Sequence, residues 1–272
     1  MADQLRYRPL KALKAAILLL MGGFMLLYGV LLYFELVNLG YVLQIKNGAQ
    51  FPQSELQASD QRVLTTALVL RGLYFVIVVV FACVIYRLRT NVEALGARDL
   101  PISRGWTVGW FFVPIANLFM PFKAVRDVWK ASVPVAGPWI ENSASALLPC
   151  WWFLWIASNI SNNVVSTIAK FAVTLEEIQR NIVLAICVSI LDITLAAAAS
   201  WMLVRLMQMQ DEKFLLYGEQ SGMRFTCAGC GETIPYQAGT ERCPLCGVTL
   251  ITDFMPEAES QKDAKAAPPA LG

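Results

Sequence analysis

Histidine is absent from the 272 residues. No imidazole is therefore available as a general base, a metal ligand or a haem ligand, which excludes Ser-His-Asp and Cys-His catalysis. Charge is scarce as well. Asp, Glu, Lys and Arg make up 15% of the chain, against about 25% in a soluble domain. The net charge of +2 is too small to suggest a phosphate-binding face, so no nucleic-acid partner is expected. Neither a phosphate-cradling glycine loop nor a pair of carboxylates at one depth is present, and the reading leans against an enzyme. What the chain has instead is carbon. Apolar residues account for 57%, where soluble proteins carry about 45–50%, and the class this implies is an integral membrane protein.

A helix needs about 20 mainly apolar residues to cross a hydrocarbon layer about 30 Å thick. Four stretches meet this: residues 15–36, 63–86, about 146–168, and 182–206. The first is longer than a signal-peptide core of about 7–15 residues and has no A-x-A site after it, so it reads as an uncleaved anchor. A fifth apolar stretch, residues 106–122, carries Pro114, Asn117 and Pro121. Two prolines in 17 residues are incompatible with a straight spanning helix, because each removes an amide donor and clashes with the preceding turn.

Charge decides how that stretch is placed. Residues 1–14 hold four basic side chains against Asp3, and residues 87–145 hold seven basic against four acidic. The segments 37–62 and 169–181 each balance two against two. Basic loops stay cytoplasmic, so the broken stretch is expected to enter and return on one side, or to lie at the interface; a short fifth span is the alternative. Four crossings leave both termini in the cytoplasm. That suits a reduced cysteine cluster.

Beyond Phe122, Lys123, Arg126, Asp127 and Lys130 share one helical arc while Phe122, Val125, Val128, Trp129 and Val133 share the other. This pattern predicts a helix lying in the headgroup plane, so residues 106–133 form a re-entrant or interfacial unit. Trp151, Trp152 and Trp155 open the third span, where indoles commonly set helix depth at the lipid boundary.

Four of the seven cysteines are packed into residues 227–246. Cys227-Ala-Gly-Cys230-Gly231 and Cys243-Pro-Leu-Cys246-Gly247 are two C-x-x-C-G knuckles 12 residues apart. Each turns tightly at its glycine, which tolerates positive φ. Together they supply four thiolates to one tetrahedral ion, the closed geometry of structural zinc; rubredoxin-like iron is the alternative. A covering β-ribbon is expected from Phe225, Ile234, Tyr236, Leu250 and Ile251. With every ligand position filled by protein, the module suits docking of a cytoplasmic protein better than catalysis. The remaining thiols, Cys83, Cys150 and Cys187, read as small packing residues.

Arg71 in the second span and Asp192 in the fourth fall at equal depth, about 13–16 Å from the outer ends of their helices. An ion pair between them is therefore expected to be feasible. Ser158, Asn159, Asn162 and Asn163 line up on the third span, and Glu35 at the outer edge of the first. Such groups either tie helices together or line an outward-facing vestibule. The small residues 196–200 favour close helix packing.

The run Gly109-Trp110-Phe111-Phe112-Val113-Pro114-Ile115-Ala116-Asn117-Leu118 continues to Pro121-Phe122 and to the Arg126-Asp127-Val128-Trp129 helix, and Trp151-Trp152 opens the next span. In these motifs the chain resembles bacterial multi-pass membrane proteins of the domain-of-unknown-function family 4328, over roughly residues 15–210. Phe111 stands where a second tryptophan is usual. The resemblance implies a multi-pass membrane location and no established biochemistry. In physical terms Pro114 and Pro121 free backbone carbonyls, and Asn117 is expected to satisfy them, since a broken backbone at membrane depth needs protein or water cover.

The expected architecture is an all-α transmembrane bundle of four spans plus the Pro-broken segment. Its parts are a basic N-terminus (1–14), the membrane domain (15–210), a linker (211–222), a zinc ribbon (223–254) and a disordered tail (255–272). The expected function is a non-enzymatic scaffold or sensor in the lipid bilayer whose ribbon recruits a cytoplasmic protein. A small-solute or ion transporter using Arg71, Asp192, Asn117 and Asn159 is the alternative.

Overall fold

The computed structural model describes residues 7–135, 138–217, 224–227, 229–235 and 242–248. Among the described residues six helices carry the fold: α1 (Lys11–Lys46), α2 (Gln53–Ala94), α3 (Arg104–Gly109), α4 (Met120–Ser132), α5 (Leu147–Ala169) and α6 (Leu175–Tyr217). Two three-residue strands, β1 (Arg224–Thr226) and β2 (Thr233–Pro235), pair antiparallel with Phe225 opposite Ile234.

α1 packs against both α2 and α6, and α5 packs against α6. The α1–α2 and α5–α6 turns lie together at one end, termed here the hairpin end. The start of α1 and the ends of α2 and α6 form the opposite, termini end. The apolar runs do not mark where the helices stop. α1, α2 and α6 have 36, 42 and 43 residues, or about 54–65 Å at 1.5 Å per residue, well beyond the thickness of a bilayer. α1 and α2 each end on a glycine at positive φ, Gly48 and Gly96. The residue after each glycine donates back to the carbonyl five positions earlier, Ala49 to Gln44 and Ala97 to Val92, a Schellman closure. α6 opens on a reciprocal cap, with Glu177 N–H bonded to Thr174 Oγ1 and Thr174 N–H to Glu177 Oε2.

Among the described residues three helices, α1, α2 and α6, are long and apolar enough to cross a membrane. Only 17–22% of their apolar windows is covered by protein, so most of that carbon needs another apolar phase. Leu19, Leu26, Leu68, Phe75, Val79, Ile190 and Trp201 are among the side chains left outward. α5, the third of the four expected spans, is not among these three helices although its 23 residues reach about 34 Å. Asn159, Asn162 and Asn163 dilute its apolar run. At the close contact of α6, Ala196 and Ala199 are buried, where small side chains let backbones approach.

The proline-broken stretch is a folded hairpin. α3 runs into a 3-10 turn at Trp110–Phe112, a second 3-10 turn follows at Ala116–Leu118, and α4 returns. The reversal is a γ-turn: Ala116 N–H donates to Pro114 O at 2.7 Å, and Ile115 between them sits at φ 66°, ψ −52°. This conformation is rare and strained, the more so for a β-branched residue. Arg104 at the hairpin's start and Ser132 at its finish both meet the termini end of the bundle. Arg104 Nε pairs with Glu93 at 2.6 Å. Ser132 Oγ accepts from Gln210 Nε2, which also donates to Leu88 O. The tip reaches Phe81, whose ring meets Phe111 edge-on at 5.6 Å, 12 residues or about 18 Å along α2 from Glu93. The segment thus leaves and rejoins the same end of the bundle.

α4 corrects an expectation. Its apolar face was read as lying on lipid, but Ala124, Val125, Val128, Trp129, Ala131 and even Asp127 are buried, in contact with α2, α5 and α6. Amphipathicity marks a face that needs cover; here the cover is protein.

The termini end is bolted by polar contacts. Tyr7 stacks on Phe214 with centroids 4.4 Å apart and donates its hydroxyl to Asp211. Asn91 exchanges two hydrogen bonds with the Arg8 backbone. Lys213 is buried and donates to Ala131 O at 2.9 Å, a carbonyl at the end of α4; burial pushes its pKa down. Arg89, 3% exposed, donates to Glu93 Oε1 and twice to Ile102 O. Glu93→Ala leaves this guanidinium without its carboxylate and frees Arg104. The expected loss is about 2 kcal/mol, read as a lowered thermal midpoint in detergent, with Glu93→Gln losing less.

Candidate functional sites: a tetracysteine cluster and a polar cleft

The two knuckles adopt matching backbones. Gly231 N–H donates to Cys227 O and Cys227 N–H to Glu232 O; Gly247 N–H donates to Cys243 O and Cys243 N–H to Val248 O, all at 2.9 Å. Gly231 and Gly247 have φ of 71° and 70°. The knuckles face each other so closely that a Cβ on Gly229 would stand 2.7 Å from Val248 Cγ2. All four sulfurs lie within 4.8 Å of one another, with Cys227–Cys246 at 3.6 Å and Cys230–Cys243 at 3.8 Å. Sulfurs about 2.3 Å from a central ion in tetrahedral geometry stand about 3.8 Å apart, so the set fits one metal ion. The N–H groups of Cys230 and Gly229 lower the pKa of the Cys227 thiol, while those of Cys230 and Cys246 are raised beside it, as expected for thiols that share one site and titrate together. Cys227, Cys243 and Ile234 form the small buried cluster here. The other expected covering groups, the Phe225 side chain and Tyr236, Leu250 and Ile251, lie outside the described residues, as does the expected tail.

α1, α2, α5 and α6 enclose a polar cleft of about 490 Å³. Asp192, 5% exposed, accepts hydrogen bonds from Tyr28 Oη at 2.7 Å, from Asn162 Nδ2 at 3.1 Å and from Ser158 Oγ. One carboxylate thereby ties three helices. Glu35, also buried, accepts from Ser189 Oγ at 3.0 Å. Arg71 and Asn159 line the same cleft.

The feasible Arg71–Asp192 ion pair is not formed. Arg71 is exposed, and no ion pair to it exists among the described residues. Rise per residue sets depth but not azimuth, and neutral donors satisfy Asp192 without desolvating a second charge. Asn159 turns its amide back to Trp155 O at 2.7 Å. Tyr28 and Ser189 were missed in the sequence, although a signal existed. Tyr28 and Glu35 are seven apart, and Ser189 and Asp192 three apart, so each pair shares a helical face.

Residues 47–208, more than half of the chain, match the family described as Domain of unknown function (DUF4328). The chain belongs to this family. No curated protein and no solved structure matches it. The DUF4328 match begins after α1, later than the resemblance from residue 15 suggested, and it ends before the cysteine knuckles.

Within the DUF4328 region the structure reassigns several motif residues. Trp151 and Trp152 are buried, not displayed at a lipid boundary. Trp152 stacks on Trp155 at 4.7 Å, touches Phe111 and Phe122, and donates Nε1–H to Leu118 O at 3.0 Å. The indole N–H therefore holds a carbonyl of the broken segment, a task assigned to Asn117. Among the described residues Asn117 closes the turn through its backbone alone, N–H to Val113 O at 2.9 Å. It does not line the polar cleft, whereas Arg71, Asp192 and Asn159 do. Pro121 is buried in the first turn of α4, where its missing donor costs nothing; Pro114 forms the γ-turn beside Trp110, whose ring lies 4.5 Å from Trp106. Cys83, Cys150 and Cys187 are exposed on the bundle and do not serve as packing groups.

Proposed function

We propose that this protein is a non-enzymatic scaffold or sensor of the bacterial inner membrane, with structural zinc in its tetracysteine module and a cytoplasmic protein as the module's partner. The observation that carries the reading is the closed set of sulfurs. Four thiols at mutual distances suited to one ion leave no ligand position for substrate or water, so the metal's role is to hold shape. A shaped surface on a tether is a means of recognition. Iron in the same sulfurs is the competing occupant, and elemental analysis separates the two.

The topology that goes with this reading has four crossings, with α5 as the polar-lined third, and both termini inside. Two arguments support it: the basic residues of the N-terminus and of 87–145, and the return of the broken segment to the end it left. Cysteines introduced one at a time at positions 123, 130 and 212, of which 123 and 212 are exposed, in a background with Cys83, Cys150 and Cys187 replaced by alanine and with labelled peptides identified by mass to separate them from the knuckle thiols, provide the test. Each is expected to react with an impermeant maleimide only after the membrane is opened. Reaction in intact cells would export the module and overturn the reading. For the partner, proximity labelling from the full chain is expected to enrich a defined set of proteins that Cys227→Ser loses; identical sets would sink recruitment.

A small-solute transporter is the second reading, favoured by the cleft and its charged residues. The cleft passes into an apolar region around Ile77 and Ala199, however, and a polar path across the bundle is not continuous there.

A further inference from the structure

A second cavity of about 170 Å³ adjoins the polar cleft, and it is walled almost wholly by carbon, including Ile77, Phe81, Phe111, Ala196 and Ala199. Phe24, Tyr74, Trp155 and Leu195 line both cavities, so the two form one depression. Its polar part extends toward the hairpin end, to Ala67, Ser166 and Ala169. Its apolar part extends toward the middle of the bundle, to Ile85, Trp151 and Ala199.

The charges in this depression are separated. Asp192 and Glu35 are each more than nine-tenths buried and accept hydrogen bonds from neutral donors, Tyr28, Ser158 and Asn162 for one and Ser189 for the other. Neither has an ion-pair partner among the described residues, and neither does Arg71. Opposite charges that face one low-dielectric cavity without meeting are best complemented by an occupant carrying both signs. The apolar continuation requires hydrocarbon in the same molecule. Arg71 and Asp192 stand about 13–16 Å below the outer ends of their spans, so the occupant's polar group is drawn down into the cleft and its hydrocarbon continues inward from there.

We propose that this depression binds a zwitterionic phospholipid with a primary-ammonium headgroup. The phosphate lies against Arg71, the ammonium faces Asp192 and Glu35, and the first part of one acyl chain fills the apolar part. A free zwitterion would leave the carbon-lined half without a ligand, and an anionic lipid would leave the two carboxyls without a cation.

The test reconstitutes the full chain in vesicles of equal phosphatidylethanolamine and phosphatidylglycerol, then counts lipids retained on the detergent-released protein by native mass spectrometry. One phosphatidylethanolamine per chain is expected, at least tenfold over phosphatidylglycerol. Arg71→Gln and Asp192→Asn are each expected to lower retention at least fivefold, and Ala196→Trp to do so by filling the apolar part. Arg71 is exposed and outside the packing, so Arg71→Gln remains decisive if either buried variant fails to assemble. Equal retention of the two lipids, or unchanged retention in Arg71→Gln, overturns the proposal. Soluble phosphoethanolamine displacing the lipid at equal concentration overturns it too, because the chain would then add nothing.

Discussion

Cys243→Ser is expected to reduce bound metal from one ion per chain to none and to open residues 224–248 to protease, while the helices keep their thermal midpoint. Apart from its sulfurs, the described part of the module buries little: Ile234 joins Cys227 and Cys243 in its only cluster among the described residues. Fully burying one such side chain contributes about 1.5–3 kcal/mol, whereas structural zinc contributes about 10–16 kcal/mol in comparable small modules. With the ion of the proposed function in place, folding of this region is coupled to its ligation. Removing a buried sulfur breaks the tetrahedron and leaves three thiols that alkylating reagents can reach. Elemental analysis and peptide-resolved alkylation check both halves. Full metal content in the variant would show that the four sulfurs do not act as one site. Gly247→Val is expected to weaken metal retention without removing a ligand, because valine is strained at φ 70°.

Trp152→Ala is expected to cost about 3–5 kcal/mol and to release the hairpin tip. The indole is 7% exposed and contacts rings from the broken segment, α4 and α5, so its loss leaves a cavity where three elements meet. It also strands Leu118 O, a carbonyl already outside any regular helix. Trp152→Phe keeps most of the ring contacts and drops only the hydrogen bond, for about 1 kcal/mol. Thermal unfolding in detergent separates the two costs. A cysteine at position 116, half-buried in the parent, reports the tip: its labelling rate is expected to rise in Trp152→Ala and to stay near the parent value in Trp152→Phe. Equal rates in both variants would show that packing around the indole does not hold the turn.

Some of this was legible in residues and some was not, for physical reasons. The knuckles were readable because metal ligation demands fixed spacing. The break at Pro114 and Pro121 was readable because proline's missing donor is a property of the residue itself. Helix ends were harder to read. Apolar runs show where lipid is, while α2 and α6 continue as polar helices, held by contacts such as Asn91 with Arg8 and Asp211 with Tyr7 that join residues far apart in the chain. Partners were hardest. Equal depth made an Arg71–Asp192 pair reasonable, but azimuth chose Tyr28, Ser158 and Asn162. Likewise Trp152 and the apolar face of α4 were correctly marked as needing cover, and a single sequence does not distinguish lipid from the protein's own hairpin as that cover.

The unbroken course of α6 carries a mechanical consequence. Asp192 lies 25 residues before Tyr217 on one continuous helix, about 38 Å away, with no proline or glycine between them to serve as a joint. Between the carboxylate held by Tyr28 and Asn162 and the last described residue of the helix there is thus no built-in hinge, and the two ends of this stretch are expected to move as one body.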